Sequence, residues 1–350
     1  MCAIFGICGE NNKPLLEKIS KSQYYRGPDS QNFFLDETNK VNLGSNRLAV
    51  VDAIGGSQPM KLEEDNYVIV FNGCIYNFNT IKKFLKKKNV EFASESDTEV
   101  LLKAYLFFGE KCFNYFDGMW SCAIYNKKEK SLLLSRDYLG QKPLYYFCKD
   151  EKFIFSSELN GILEDTRINV SKNKIGIAKY FFHGFFPAPY TPYDQILQVQ
   201  PGELIKIDLS NFKIVKKIYW DVTNGPDYNI FFKKNNEKDF PEIFAGALKN
   251  HSIADQETAL TLSGGIDSFL VSYFFIKLHG KGNSFSLGFD EKSFDETDVI
   301  NKINLDLNKN IFKKGFEDYK FALKKILNQK GELVGDSSLV PTYLLFSNIK

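Results

Sequence analysis

The texture of this chain changes near residue 240, and that change limits what it can fold into. Before it, from residue 2 to about 160, short β-branched and aromatic runs recur at 41–51, 67–71, 120–125 and 131–134. Gly, Asn and Asp turns separate them, which predicts a strand-rich domain. Two helical stretches interrupt the strands: a basic amphipathic one at 80–88 and one at 97–108 with apolar spacing near 3.6. Asp97 and Thr98 stand where N-cap residues belong, with Glu99 in the first turn. Residues 183–203 are rich in Pro, Tyr and Gly and read as an irregular crossing, followed by strand-like text to Trp220. The polar stretch 221–239 reads as a linker. After it come a helix at 241–251, a strand at 258–262, the turn SGGIDS, a helix at 269–278 and a strand at 284–289. Strand, Gly-rich turn, helix, strand is the grammar of a parallel α/β sheet. The chain stops at Lys350 inside an apolar helical pattern with no C-cap signal, so this second domain is expected to be truncated. The predicted organisation is a domain at 1–220, a linker at 221–239 and a second domain at 240–350.

At 350 residues two domains are the default. A net charge of +2 offers no basic excess for nucleic acid or an anionic membrane. No apolar run reaches the length of a membrane span, and no secretory leader is evident. The six Cys (2, 8, 74, 112, 122 and 148) all lie in the first 150 residues and form no CxxC pair. That argues against a zinc site or a disulfide framework and fits a reducing cytoplasm.

The chain opens MCAIFGICG. A small residue at position 2 permits removal of the initiator Met, which leaves a thiol and a free α-amine on Cys2. The amine would take the thiol's proton and activate the nucleophile without a His. The only three His (183, 251 and 279) are remote from the other candidates. Four further signals are ambiguous alone. Asn72-Gly73 after a strand reads as a two-donor oxyanion hole or as a plain Asn-Gly turn. Arg47 would fork onto a carboxylate or sit on the surface. Asp97 would receive an ammonium or cap a helix. RGPD at 26–29 would close over a ligand or be only a turn.

Their ordered combination is what carries weight. Cys2, RGPDS, NRLAVVD, GSQPM, NGCIYN, SDTEV, FDGMW, SRDYLGQKPLYY and FSSEL follow one another. In that order they resemble class II glutamine amidotransferase domains, specifically the glutamine-hydrolysing asparagine synthetase branch. The resemblance implies an α+β N-terminal-nucleophile hydrolase sandwich (αββα) followed by part of an α/β parallel-sheet adenylating domain. It implies Cys2 as nucleophile and Asn72 and Gly73 as oxyanion hole. Glutamine would bind with its carboxylate on Arg47 and its amine near Asp97, along Leu48, Val50 and Val51. Relatives usually read NGEIYN. Here Cys74 replaces the acid, which removes one carboxylate from the glutamine amine and predicts looser binding.

SGGIDS at 263–268 follows a strand and opens a helix, a suitable seat for phosphate. It lacks the GK[ST] of a Walker loop. It resembles the pyrophosphatase loop of adenylating ligases. That implies ATP contacts from Leu262, Ser263, Gly264, Gly265, Asp267, Ser268 and Leu287, with Asp267 toward a Mg²⁺ on pyrophosphate. FDETD at 294–298 and GDSSLVPTYLL at 335–345 match the same domain. The activity implied is amidation of a carboxylate, most commonly aspartate, with glutamine and ATP, in a cytoplasmic enzyme that the resemblance makes a homodimer. Alternatives are a relative acting on a sugar-acid or peptide carboxylate, a fragment with glutaminase activity only, and a non-catalytic binding remnant. A β-lactam-forming relative is disfavoured by Cys2.

Overall fold

A computed structural model describes residues 1–62, 66–223, 240–329 and 335–349. The chain divides into two compact units, the first holding the described residues up to 223 and the second those from 240 onward. Most of the predicted linker lies outside the described residues.

The first unit is built on two six-stranded sheets, antiparallel throughout. One runs β10 (Ile196–Gln198), β8 (Tyr145–Lys149), β9 (Lys152–Ser156), β1 (Ala3–Cys8), β3 (Val41–Arg47), β2 (Ser30–Asp36). The other runs β12 (Lys213–Ile218), β11 (Glu203–Asp208), β7 (Ser131–Arg136), β6 (Gly118–Asn126), β5 (Tyr67–Ile75), β4 (Met60–Leu62). Alternation along the strands explains the layers. Ile4 and Cys8 of β1 join Leu43, Val68, Val70, Ala123, Leu134 and Phe155 in the core between the sheets. Ala3, Phe5 and Ile7 point the other way, onto Leu15, Leu16 and Ile19 of α1 (Lys13–Ser22) and Leu159 and Ile162 of α4 (Leu159–Leu163). α2 (Phe78–Lys86) and α3 (Asp97–Phe108) pack together, and α3 lies against β5 of the second sheet. The result is the four-layer αββα sandwich with α5 (Lys174–His183) appended.

The strand-rich expectation for residues 2 to about 160 undercounts the helices, because α1 stands beside the two predicted stretches and α4 begins at the end of that range. α1 is short, yet Asn12 caps it and its apolar residues fall on one face. The predicted stretch at 80–88 is shifted to Phe78–Lys86. The segment 183–203 is not wholly irregular, since it contributes the three residues of β10, paired to β8.

The second unit carries a three-stranded parallel sheet, β13 (Ala259–Thr261), β14 (Gly282–Phe289) and β15 (Leu307–Lys314). α6 (Phe240–His251) packs on α7 (Ile266–His279), the crossover helix from β13 to β14. After α8 (Thr297–Lys302) come α9 (Phe316–Gln329) and α10 (Leu339–Asn348). Ala322, Ile326, Val340 and Leu344 on the last two helices form a small core against Leu287. This is the predicted βαβ arrangement.

Candidate active site

Strands β1 and β5 belong to different sheets, yet Cys2, just ahead of β1, and residues near the end of β5 line one cavity of about 210 Å³. That is about seven water volumes, the scale of an amino acid. Every glutamine-site residue named from the sequence lines it: Cys2, Arg47, Leu48, Val50, Val51, Asn72, Gly73, Cys74 and Asp97.

The loop after β3 positions the sulfur. Leu48 N–H points at Cys2 Sγ at 3.4 Å, and Sγ lies 3.7 Å from the Leu48 carbonyl. The RGPD turn braces that loop from behind. Asp29 N–H donates to the Arg47 carbonyl at 3.1 Å, and its carboxylate accepts from Ala49 N–H at 2.8 Å. Arg47 is buried, not a surface Arg. Three of its hydrogen bonds go to the carbonyls of Ala53, Val51 and Asp52 at 2.7, 3.0 and 2.6 Å. A guanidinium has five N–H donors, so among the described residues these three bonds leave two of them without a partner.

Asn72-Gly73 is not a turn. Both residues lie inside β5, opposite Ser121 and Trp120 of β6. Asn72 is buried, and its amide nitrogen Nδ2 has no hydrogen-bond partner among the described residues. Leaving a buried donor unsatisfied costs about 1–3 kcal/mol, a cost that a ligand oxygen would remove. Gly73 admits no side chain: a methyl there would stand 2.2 Å from the Met119 carbonyl oxygen.

Asp97 is the first residue of α3 and not its cap. Ser96 Oγ caps the helix, accepting from Thr98 N–H at 3.1 Å, so the expected capping by Asp97 and Thr98 is corrected. This frees Asp97 to face the cavity, where it accepts from Ile75 N–H at 3.1 Å. Burial raises its carboxyl from 3.8 to about 6, opposed by backbone N–H groups and by the Arg47 charge. An ammonium in the cavity would reverse that penalty. Burial, with Asp97 adding to it, also holds the Cys74 thiol at about 12. Cys74 is therefore neutral and does not replace an acid.

The sequence reading missed Met1, Gln58, Phe71, Ser96, Thr98, Met119 and Lys142 as cavity walls. Lys142 was in plain view within SRDYLGQKPLYY but carried no assigned role.

In the second unit Leu262 is buried and leads from β13 into the SGGIDS loop, whose Ser263, Gly265 and Asp267 are exposed. Ser268 Oγ accepts from Ser263 N–H at 3.1 Å and sits 2.9 Å from Ser263 Oγ. Gly264 N–H donates to the Glu296 carboxylate at 2.9 Å. A carboxylate at this backbone N–H marks an anion seat at the start of α7. Glu296 lies in the FDETD run, which the sequence reading had not given a contact. Leu287 is half-buried against α9 and α10. A larger cavity, about 910 Å³, opens past the ends of β14 and β15, lined by Phe289, Asp290, Lys314, Phe316 and Tyr319 among others. None of the predicted ATP residues lines it. No described helix is long and apolar enough to cross a membrane.

Comparison with known proteins bears on both units. Residues 1–220 match the family model described as glutamine amidotransferase domain, and residues 239–350 the one described as asparagine synthase. A Methanocaldococcus jannaschii protein provisionally named asparagine synthetase (glutamine-hydrolyzing) 2 is 35% identical, over 98% of this chain and 70% of that protein. Asparagine synthetase (glutamine-hydrolyzing) 1 of Bacillus subtilis is 29% identical, over 100% of this chain and 56% of its own length. Among solved structures, a glutamine phosphoribosylpyrophosphate amidotransferase from B. subtilis aligns with a TM-score of 0.48 at 14% identity, over 87% of this chain and 71% of that one.

Proposed function

The chain belongs to the glutamine-hydrolysing asparagine synthetase family, and from that premise we infer that it serves a glutamine-dependent amidotransferase. Cys2 hydrolyses glutamine to glutamate and ammonia. The second domain uses ATP to adenylate aspartate, and ammonia converts the acyl-adenylate to asparagine with release of AMP. Pyrophosphate leaves at the adenylation step. The observation that carries the first half is the unpartnered, buried Asn72 amide in the cavity of Cys2.

The chemistry follows from these placements. Loss of Met1 uncovers an α-amine on the residue that bears the thiol, and the S–H proton moves to that nitrogen. The sulfur attacks the glutamine side-chain carbonyl. The charge developing on oxygen would meet Asn72 Nδ2, a donor already buried before reaction begins, and the Gly73 N–H. The amine hands its proton to the departing nitrogen, ammonia leaves, and water cleaves the thioester to glutamate. Arg47 would take the substrate carboxylate with its spare donors, and Asp97 the ammonium.

For the second half, the Gly264 N–H and the start of α7 favour an anion, which supports phosphate binding by Ser263, Gly264, Gly265 and Ser268. Among the described residues no three His, Cys, Asp or Glu side chains converge on a metal. A Mg²⁺ would accordingly rest on Asp267 together with nucleotide phosphates and water. Domain limits of 1–220 and 240–350, a cytoplasmic setting and a homodimer belong to the same reading. The described cysteines are all free thiols, in keeping with a reducing compartment.

The test is glutamate release from glutamine by the 350-residue chain after Met removal is verified by mass, beside Cys2→Ala. Release that falls to background in the variant supports the assignment. A folded, processed wild-type chain that releases no glutamate overturns it.

A further inference from the structure

Lys142 is an anomaly. It is 5% exposed, yet no carboxylate lies within ion-pair distance among the described residues. Among the described residues its Nζ has one hydrogen-bond partner, the Met1 thioether sulfur at 3.2 Å. A buried ammonium held only by a thioether is costly and is not what packing alone would select.

Its position is nevertheless built with care. The carboxylate of Asp137 accepts from the backbone N–H groups of Leu139, Gln141 and Lys142 at 3.1, 2.9 and 3.0 Å, and from Trp120 N–H at 3.1 Å. Arg136 Nε donates to the Lys142 carbonyl at 2.8 Å. Asp137 therefore fixes the loop that carries Lys142 but spends its oxygens on backbone. The ammonium it delivers stands in the wall of the Cys2 cavity.

The charged groups that act on the Met1 α-amine, one residue before the Cys2 nitrogen, are Cys2, Arg26, Lys142 and Asp29. Arg26 Nε donates to the Cys2 carbonyl at 3.0 Å, and Arg26 pairs with Glu158, which offsets its charge. Asp29 accepts from Ala49 N–H and braces the loop. Among the described residues Lys142 has no such partner: burial, with Arg26 adding to it, lowers its pKa, while Asp137, Cys2 and Cys74 oppose that shift. Burial and the charges of Arg26 and Lys142 lower the pKa of the Met1 amine, while Cys2 and Asp29 oppose them.

We propose that Lys142 is a positioning residue for glutamine hydrolysis: its ammonium keeps the Cys2 α-amine, uncovered when Met1 leaves, in the unprotonated form that accepts the thiol proton. Removal of Met1 also removes the sulfur that holds Nζ, so processing creates the amine and frees the cation in one event. An ammonium near a second nitrogen base disfavours its protonation, as like charges do. The S–H bond breaks, an N–H bond forms, and the new ammonium and thiolate remain in one cavity with Lys142. The proposal rests on the glutaminase reading of Cys2.

Two titrations on the processed 350-residue chain decide it. The first is the pH profile of kcat/KM for glutamine hydrolysis in the wild type, Lys142→Met and Lys142→Arg. The acid limb is expected to move up by about one pH unit in Lys142→Met and to return in Lys142→Arg. The second needs no glutaminase. In a Cys2→Ala background, the α-amine at position 2 is titrated by competitive acetylation and mass spectrometry, with and without Lys142→Met. The same upward shift is expected. An unmoved amine titration in a folded variant overturns the proposal. If the wild type lacks glutaminase activity, the reading of Cys2 fails while the amine titration still decides the role of Lys142. Lys142→Gln replaces Lys142→Met if the latter does not fold.

Discussion

Asp97 shows how one residue can cost the fold at the wall of a cavity where the proposed reading seats an ammonium. Its folded carboxyl titrates at about 6 and not at 3.8, with burial as the main cause. The native state therefore binds more protons than the unfolded chain between those values. Stability falls as pH rises through that window, and the penalty is complete above about 6, at about 3 kcal/mol. Asp97→Asn keeps an oxygen for the Ile75 N–H and removes the charge. Scanning calorimetry from pH 4 to 8 should find the variant melting no lower than the wild type at pH 7, with a flatter pH profile. Its KM for glutamine should rise at least about tenfold, since a desolvated ammonium loses its counter-charge. In the wild type KM should climb as pH drops below 6. A variant that melts lower and binds glutamine normally would contradict both parts. Cys2, Arg47, Asn72 and Asp97 were legible because residue type and order together implied a chemistry. Lys142 was not, because a Lys in a loop is by default a solvated charge, and only the three-dimensional closure of the loop by Asp137 buries it.

At the scale of elements, the site depends on how closely β5 and β6 approach. A Cβ on Gly73 would collide with the Met119 carbonyl oxygen at 2.2 Å, and this neighbour is backbone, which cannot rotate away. Gly73→Ala must therefore push β5 off β6 beside the unpartnered Asn72 amide, at the proposed oxyanion hole. An overpacked strand pair costs about 1–3 kcal/mol, or a melting temperature lower by roughly 5 °C. A displaced oxyanion hole costs more: glutamate release should drop by about 100-fold or more, with the far-UV spectrum unchanged. Activity within a factor of a few of wild type would show that the strands tolerate the methyl. The Asn-Gly pair could not be told from a turn by sequence because both use the same dipeptide. What decides is the unbroken ladder from Tyr67 to Ile75 against β6. The three-residue β10 was illegible for a different reason, since its partner β8 lies about 50 residues earlier and supplies the pairing that its own sequence does not announce. α1 was missed because ten residues with a Pro in the first turn give little periodic signal, and burial of Leu15, Leu16 and Ile19 against β1 supplies the stability that propensity lacks.

At the scale of the whole molecule, the switch from turn-separated strands to a βαβ pattern was visible in sequence because antiparallel and parallel sheets demand different connections. The 910 Å³ cavity past β14 and β15 was not, since its walls come from strand ends and two helices that no local pattern links. Every wall of the Cys2 cavity, by contrast, comes from residues 1–142, all in the first unit. That unit also buries two apolar cores of its own, between the sheets and under α1 and α4. A segment with its own core and a complete cavity should fold without the rest. Residues 1–220, expressed alone and freed of Met1, should melt in one cooperative transition and release glutamate within roughly threefold of the rate of the 350-residue chain. Retained activity would assign the hydrolytic step to the sandwich alone and leave the second unit to ATP and the acceptor. A soluble, cooperative 1–220 without activity would instead mean that the residues beyond 220 organise the glutamine site, and the glutaminase would have to be treated as a property of the longer chain.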